Sequence, residues 1–493
     1  MMEFLDKLVN HISTSYSPEW GSGGLFGLKY HRGVLYYTLS FEARAYFIYR
    51  DGVEVYGFEQ LGKPPRSGGD TYNAVTAVDN EIYFGGWIHA PVEIYEFGGL
   101  RSIDFRNKYS HIHRYVIDEH RVELMWSESI HDRDKWAGEI SELLYDPLRD
   151  SILVARADGH VNLGVYELDR DGKVFRKISE LPALKGALYM DHACFDISDF
   201  ARIRGFQCID LDSAKVDTYM LPDKISELSI DGHGVKEYSS GYAVQLHGRY
   251  LHFVKGGLFI GNPLDPGFEK PVFVRLLDFG RLSLSPRRAN ATILAGGVLA
   301  PYSSYVEAAI NIPGDMDRSE AKLLNTAISP SILLYISPPM VKVVGVFGSR
   351  ITSIEKAGSR ILVGYNTVAN LGGHDILKVD IGMKGITVIN EETLLYNTPP
   401  LIMRIPGYVL ESNVFGGIPL TGYRDKRVIL YSDSTNELEV YEYLLGPPPV
   451  LLSKERYDID MGKNIVELNG FHGIISFRLG KMSGVQNMVI ELS

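Results

Sequence analysis

Cysteine is almost absent from the 493 residues, and the two that occur, Cys194 and Cys208, exclude both a disulfide-rich scaffold and a cysteine-ligated metal site. They fall on neighbouring predicted strands, and the expectation is a pair of buried thiols, with a single bridge as the alternative. Glutamine is confined to Gln60, Gln207, Gln245 and Gln486, a lean found in proteins of thermophiles. No apolar run approaches the ~20 residues of a membrane span. No basic cluster occurs either, and the net charge of −11 argues against nucleic acid or an anionic membrane as partner. Phosphate loops, nucleophile elbows and His-Glu-x-x-His helices are missing as well.

What is present is a repeated device. Short β-rich runs separated by tight turns recur in groups of roughly 35–55 residues. Leu25-Phe-Gly-Leu-Lys-Tyr, Val34-Leu-Tyr-Tyr-Thr-Leu, Ala45-Tyr-Phe-Ile-Tyr and Val53-Glu-Val-Tyr make one group. Further groups span 74–128, 139–180, 187–222, 241–280, 291–346, 351–396, 408–452 and 463–493. The 30 Tyr and 21 Phe suit half-buried pleated surfaces, and the 50 Gly and 23 Pro supply the turns. Asp51-Gly52 and Asp171-Gly172 read as hairpin turns. The pattern predicts an all-β fold, a single β-propeller of seven blades (eight is the alternative) over residues 24–493. Residues 1–23 read as a short amphipathic helix and closing segment, with early acids that a secretory leader lacks, so a cytoplasmic location is expected. Two long loop insertions, 98–113 and 301–330, interrupt the repeat, the second with a helix starting at Asp317.

WD40, kelch and sialidase repeat signatures do not recur. In overall length and in the segments Gly69-Asp-Thr-Tyr-Asn-Ala-Val-Thr-Ala-Val and Glu81-Ile-Tyr-Phe-Gly-Gly-Trp, the chain resembles an uncharacterised family of hyperthermophilic-archaeal proteins with a domain of unknown function. That resemblance implies no activity.

In a propeller, the loop before the first strand and the loop after the second strand of every blade open at one mouth. That rule gathers His89, His160 and His374 from loops after second runs, and His131, Asp132, Asp134 and Glu139 from a loop before a first run. Asp70 and Asn73 join them, and Asp375 sits beside His374. Two chemistries fit such a rim. His89, His160, His374 and His131 are candidate ligands for a single divalent transition metal. Asp132, Glu139 and Asp375 are candidate acid–base groups for a carbohydrate-active hydrolase or lyase. The plainer alternative is that these side chains cap strand ends. Trp87, Trp126 and Trp136 lie near the same region, as sheet packing or a sugar platform. Asp191-His192 reads as a hydrogen-bonded pair on an inner strand, and His247 and His472 belong to the opposite face. The leading functional expectation is a binding or scaffold protein whose partner, a protein or a small molecule such as a carbohydrate, sits at this mouth. An enzyme with its site there is the alternative.

Overall fold

The computed structural model describes residues 24–97, 100–199, 202–222, 238–280, 282–304, 329–366, 384–410, 414–481 and 484–493. The segment 1–23, the helix expected from Asp317, and His374 with Asp375 lie outside the described residues. Antiparallel strands account for most of the described residues, as the runs of β-branched and aromatic residues predict. No helix among the described residues is long and apolar enough to cross a membrane.

Seven sheets follow one another along the chain. The first joins Leu25–His31, Val34–Leu39, Arg44–Tyr49 and Gly52–Tyr56 in sequence order. The next six begin with the inner strands Val75–Val78, Glu139–Asp146, Gly186–Tyr189, Ser240–Leu246, Thr292–Leu294 and Arg350–Ala357. Turn chemistry sets the hairpins: Gly172 takes φ +71° and Asp79 φ +50°, and the Asp169 carboxylate caps the amides of Lys173 and Val174. The second sheet departs from the expected loop 98–113. A hairpin of Glu93–Phe97 and Leu100–Asp104 is followed by the long strand Lys108–Val116 within the sheet. Here the alternation over Lys108–Val116 belongs to a sheet strand, not to an insertion.

Each sheet is tied to the next by hydrogen bonds near the inner strands. Ser110 Oγ donates to the Gly138 carbonyl (2.8 Å), and Lys185 Nζ donates to the Ser141 carbonyl (2.9 Å). Tyr250 OH reaches the Cys194 carbonyl (3.1 Å), and Tyr242 OH the Pro301 carbonyl (3.0 Å). Asn290 exchanges bonds with the Ile354 amide and carbonyl. The seventh sheet meets the first: Thr352 Oγ1 donates to the Leu25 carbonyl, and Ser353 Oγ and Glu355 Oε1 accept from the Leu28 and Tyr30 amides. Asn73 locks three sheets together, because its Oδ1 accepts from the Gly27 amide (2.8 Å) and its Nδ2 donates to the Thr352 carbonyl (3.1 Å). It does so at φ +58°, a left-handed conformation that asparagine tolerates better than most residues. Gly85 serves the same closeness: a Cβ there would stand 2.6 Å from Ile140 of the third sheet.

Strands from Leu401 onward pair among themselves. Leu401–Pro406, Val485–Leu492, Lys426–Ser432 and Gly462–Glu467 form one sheet. Phe415–Pro419, Ile474–Leu479, Asn436–Leu444 and Val450–Ile459 form another, which borrows Asp278–Phe279 from the segment between the fifth and sixth sheets. One apolar cluster runs from Tyr242, Leu258 and Val298 through Leu277 and Phe279 to Ile418, Val440 and Ile475, so these two sheets pack on the fifth and sixth.

Cys194 and Cys208, expected as thiols, are joined by a disulfide. They face each other directly across adjacent strands with Cα atoms 4.0 Å apart, so the ladder register itself places the sulfurs together.

Replacing Asn73 by Ala removes two buried hydrogen bonds and leaves a left-handed residue without its side-chain support. Guanidinium unfolding is expected to show a loss of about 2–4 kcal/mol, against the few tenths typical of a surface asparagine.

Candidate functional site

Of the rim residues expected from the sequence, Asp70, Asn73, His89 and Glu139 are buried, and His131, Asp132, Asp134 and His160 are exposed. Where the inner strands begin, side chains from several sheets form an ionic layer. Lys108 Nζ donates to Glu139 Oε1 at 2.5 Å inside a box of aromatic rings, 4.9 Å from the centre of Trp87, 5.7 Å from Phe105 and 4.5 Å from Trp136. Next to it, Tyr72 OH donates to Asp158 Oδ2, and Arg288 Nη2 donates to both, at 3.2 Å to the tyrosine and 3.3 Å to the carboxylate. The Arg288 guanidinium also lies over the Tyr72 ring, 4.9 Å from its centre. Arg350 approaches from the seventh sheet, donating to the Arg288 carbonyl at 3.3 Å. Lys384 and Glu42 form a further buried pair between the seventh and first sheets.

Burial splits the titration of these groups. Glu139 is pushed up to about 7 by burial, which Lys108 only partly offsets. Asp70, likewise buried, is also raised to about 7, with bonds from the Tyr72 amide and the charge of Lys185 acting against burial. Burial pushes Asp158 upward too, but Arg288, Lys108 and Arg287 outweigh it and hold that carboxyl below the usual range. Burial drives Lys384 down to about 8.

His89 was expected as an exposed loop residue and is not one. It ends the strand Glu81–His89, opposite both Ser67 and Lys108 in the ladder, and is fully buried. The short strand Ser67–Gly69 and the segment carrying Phe105 close over it, with Trp87 and Phe105 ring centres 5.4 and 5.6 Å away. Burial and the Lys108 charge keep its imidazole neutral, well below the ordinary histidine range. His131, Asp132 and His160 are exposed at the outer edge of the same layer. His131 Nδ1 donates to the Arg106 carbonyl (3.1 Å), and Asp132 Oδ1 caps the Asp134 and Lys135 amides. His160 stands edge-on to Trp136 at 4.3 Å. The rim therefore gathers His89, His131, His160, Asp132 and Glu139 around the segment 104–108. It does not bring the histidines together as metal ligands. Among the described residues, the cluster whose ligand atoms converge within 4.8 Å is Asp191, His192 and Asp210, at the turn closing the fourth sheet's inner strand. Trp126 lies apart, stacked on Phe175 at 4.2 Å with Arg156 over its ring, as packing.

Sequence reasoning missed Tyr72, Lys108, Asp158, Arg287, Arg288 and Arg350. The placement rule contains four of them: Tyr72 and the Arg287-Arg288 pair precede first runs, and Asp158 follows a second run two residues before His160. Lys108 was hidden in what reads as a loop.

The channel continues beneath this layer. Residues of all seven inner strands, or adjoining them, line a cavity of about 480 Å³, among them Leu28, Val75, Leu143, Ala187, Val244 and Thr292. Several inner strands are buried at their beginnings and more exposed further along, as in Leu25–His31, where four buried residues precede three half-buried ones, and in Ser240–Leu246. Gln245, near the end of its strand, and Ile293, both lining the cavity, are exposed. The cavity thus opens at the end opposite the expected mouth.

These features define an all-β, propeller-like protein with a charged, closed rim over an open channel. The chain belongs to the family described as "uncharacterized protein conserved in archaea (DUF2139)", whose model matches residues 35–374. No curated protein matches the sequence. Among solved structures it is similar to the β-propeller domain of the trilobed protease from Pyrococcus furiosus, at 11% identity over 71% of this chain and 93% of that one, with a TM-score of 0.37. It is also similar to the computationally designed Ika8 protein (9% identity, 77% and 100% covered, TM-score 0.38). A glycoside hydrolase family 43 arabinoxylan arabinofuranohydrolase from Bacillus subtilis is a third neighbour (9% identity, 85% and 93% covered, TM-score 0.31).

Each raised carboxyl makes a contribution to pH dependence whose sign is fixed. Unfolded, Glu139 titrates near 4.5; folded, near 7. Between those values the folded chain holds a proton that the unfolded chain has released, so stability falls as pH rises through that window. Glu139 alone accounts for on the order of 3 kcal/mol of this fall, and Asp70 acts in the same direction. Glu139→Gln removes this contribution, so the melting temperature of the variant relative to the parent is expected to rise between pH 5 and pH 8, whatever the substitution does to absolute stability.

Proposed function

We propose that residues 24–390 form a seven-bladed β-propeller, that residues 401–493 are a separate two-sheet unit resting on its fifth and sixth blades, and that the protein is a binding protein working through the propeller's rim. The observation that carries this reading is the division of labour at the rim. The inner groups, Glu139, Asp158, Lys108 and Arg288, are spent on one another, whereas His131, Asp132, Lys135 and His160 present an exposed polar patch on a rigid aromatic base at Trp136. A rigid base with exposed polar groups suits recognition of a protein surface, where side chains need little reordering on contact. Fold alone leaves the function open.

A second reading rests on a specific feature. Glu139 and Asp158 are neighbouring carboxyls pushed in opposite directions, and such a pair is how acid and base roles are separated in enzymes acting on carbohydrates. Glu139 would be the acid and Asp158 the charge stabiliser, with Tyr72 and Arg288 positioning it.

Copurification from a native extract separates the two. The binding reading expects a stoichiometric partner that is lost from the triple variant His131→Ala, Asp132→Ala, His160→Ala, while the unfolding free energy stays within about 1 kcal/mol of the parent's. A partner retained by that variant contradicts it. Hydrolysis of a glycan panel abolished by Glu139→Gln supports the enzyme.

A further inference from the structure

The channel below the ionic layer has its own chemistry. Two ion pairs line it. Lys29 Nζ stands 3.0 Å from Glu355 Oε1 and bridges the first and seventh sheets. Lys185 Nζ stands 2.9 Å from Glu142 Oε2 and bridges the fourth and third. In the order of the sheets around the channel these two boundaries lie across from each other. The wall between them mixes small or apolar residues such as Val75, Val244 and Ala291 with polar ones, among them Asn73, Asn290 and Gln245. Gln245 Oε1 accepts from the Met190 amide, which fixes the side chain beside the opening.

Each carboxylate that lines the cavity is matched by its own lysine. A ligand with net charge would leave one member of a pair uncompensated in a partly desolvated channel, which costs far more than a neutral hydrogen bond returns. A molecule that both donates and accepts, without net charge, leaves the pairs intact: its hydroxyls donate to Glu355 and Glu142 and accept from Lys29. Its C–H faces lie against the valine and alanine wall. The volume, about 480 Å³, falls within the range of small-molecule clefts.

We propose that the open end of the channel is a binding site for a neutral polyhydroxylated small molecule of mono- to disaccharide size, separate from the rim and facing the opposite way. Occupancy is set by the two ion pairs at its poles, and entry by Gln245 and Ile293.

Calorimetric titration of the full chain with glucose, galactose, trehalose and myo-inositol, and with the charged analogues gluconate and glucosamine, tests this. At least one neutral compound is expected to bind, at least about tenfold more tightly than either charged analogue. Gln245→Trp, an exposed position at the opening, is expected to weaken that binding at least about tenfold with an unchanged melting curve. Glu355→Gln leaves Lys29 unmatched and is expected to turn the preference towards gluconate, a readout that stands even if the tryptophan variant folds poorly. The rim triple variant is expected to bind as the parent does. The proposal is overturned if no neutral compound binds, if a charged analogue binds the parent protein more tightly, or if the rim triple variant loses binding that Gln245→Trp retains.

Discussion

A ring of sheets must close, and here closure depends on hydrogen bonds between strands that no sheet shares. Among the described residues, the first sheet is made from Leu25–Tyr56 and the seventh from Arg350–Asn390, with no strand exchanged between them at the seam. What holds it is Asn73, together with Thr352, Ser353 and Glu355 reaching backbone groups of the first inner strand. Buried backbone amides that lost these partners would each carry a desolvation cost of about 1–3 kcal/mol. Closure therefore brings Arg350, Lys384 and Glu42 into the same layer as Tyr72 and Arg288, and without it the channel has no wall.

The channel is stratified by burial. At the beginnings of the inner strands, charges are removed from water and must answer one another, which explains why Lys108 meets Glu139 and Arg288 meets Asp158 at short range. Further along the channel the pairs Lys29–Glu355 and Lys185–Glu142 line the cavity, which has room for a guest. Replacement of a buried member of the upper layer strands its partner, whereas an exposed position at the opening such as Gln245 can change what the channel admits without unpairing a buried charge. A scaffold of this kind separates stability from recognition along one axis.

Local chemistry was legible in the sequence. The β-rich runs Leu25–His31 and Ser151–Ala157, and turns such as Asp171-Gly172, depend on neighbours only a few residues away. Partner choice does not. The runs at 408–452 and 463–493 look like blade strands because pleat and turn signals are the same in any antiparallel sheet, yet Phe415 pairs with Phe477 and Leu401 with Leu492 in sheets of their own. The placement rule found Glu139, His131, Asp132 and His160 at one rim because it follows strand direction alone. It missed the burial of His89, which is imposed by Ser67–Gly69 from outside the strand, and it chose the mouth that the ionic layer closes. The pairing of Cys194 with Cys208 needed the register of two strands, which a count of cysteines does not contain.

Amide hydrogen exchange at the seam tests the closed ring most directly. The amides of Gly27, Leu28 and Tyr30 point away from their own sheet towards Asn73, Ser353 and Glu355. If the ring is closed as described, these three exchange only through global unfolding, as slowly as the central-strand amides of the first sheet. Exchange at the rate of exposed loop amides, with the rest of the first sheet still protected, would contradict the closed ring and everything built on its channel.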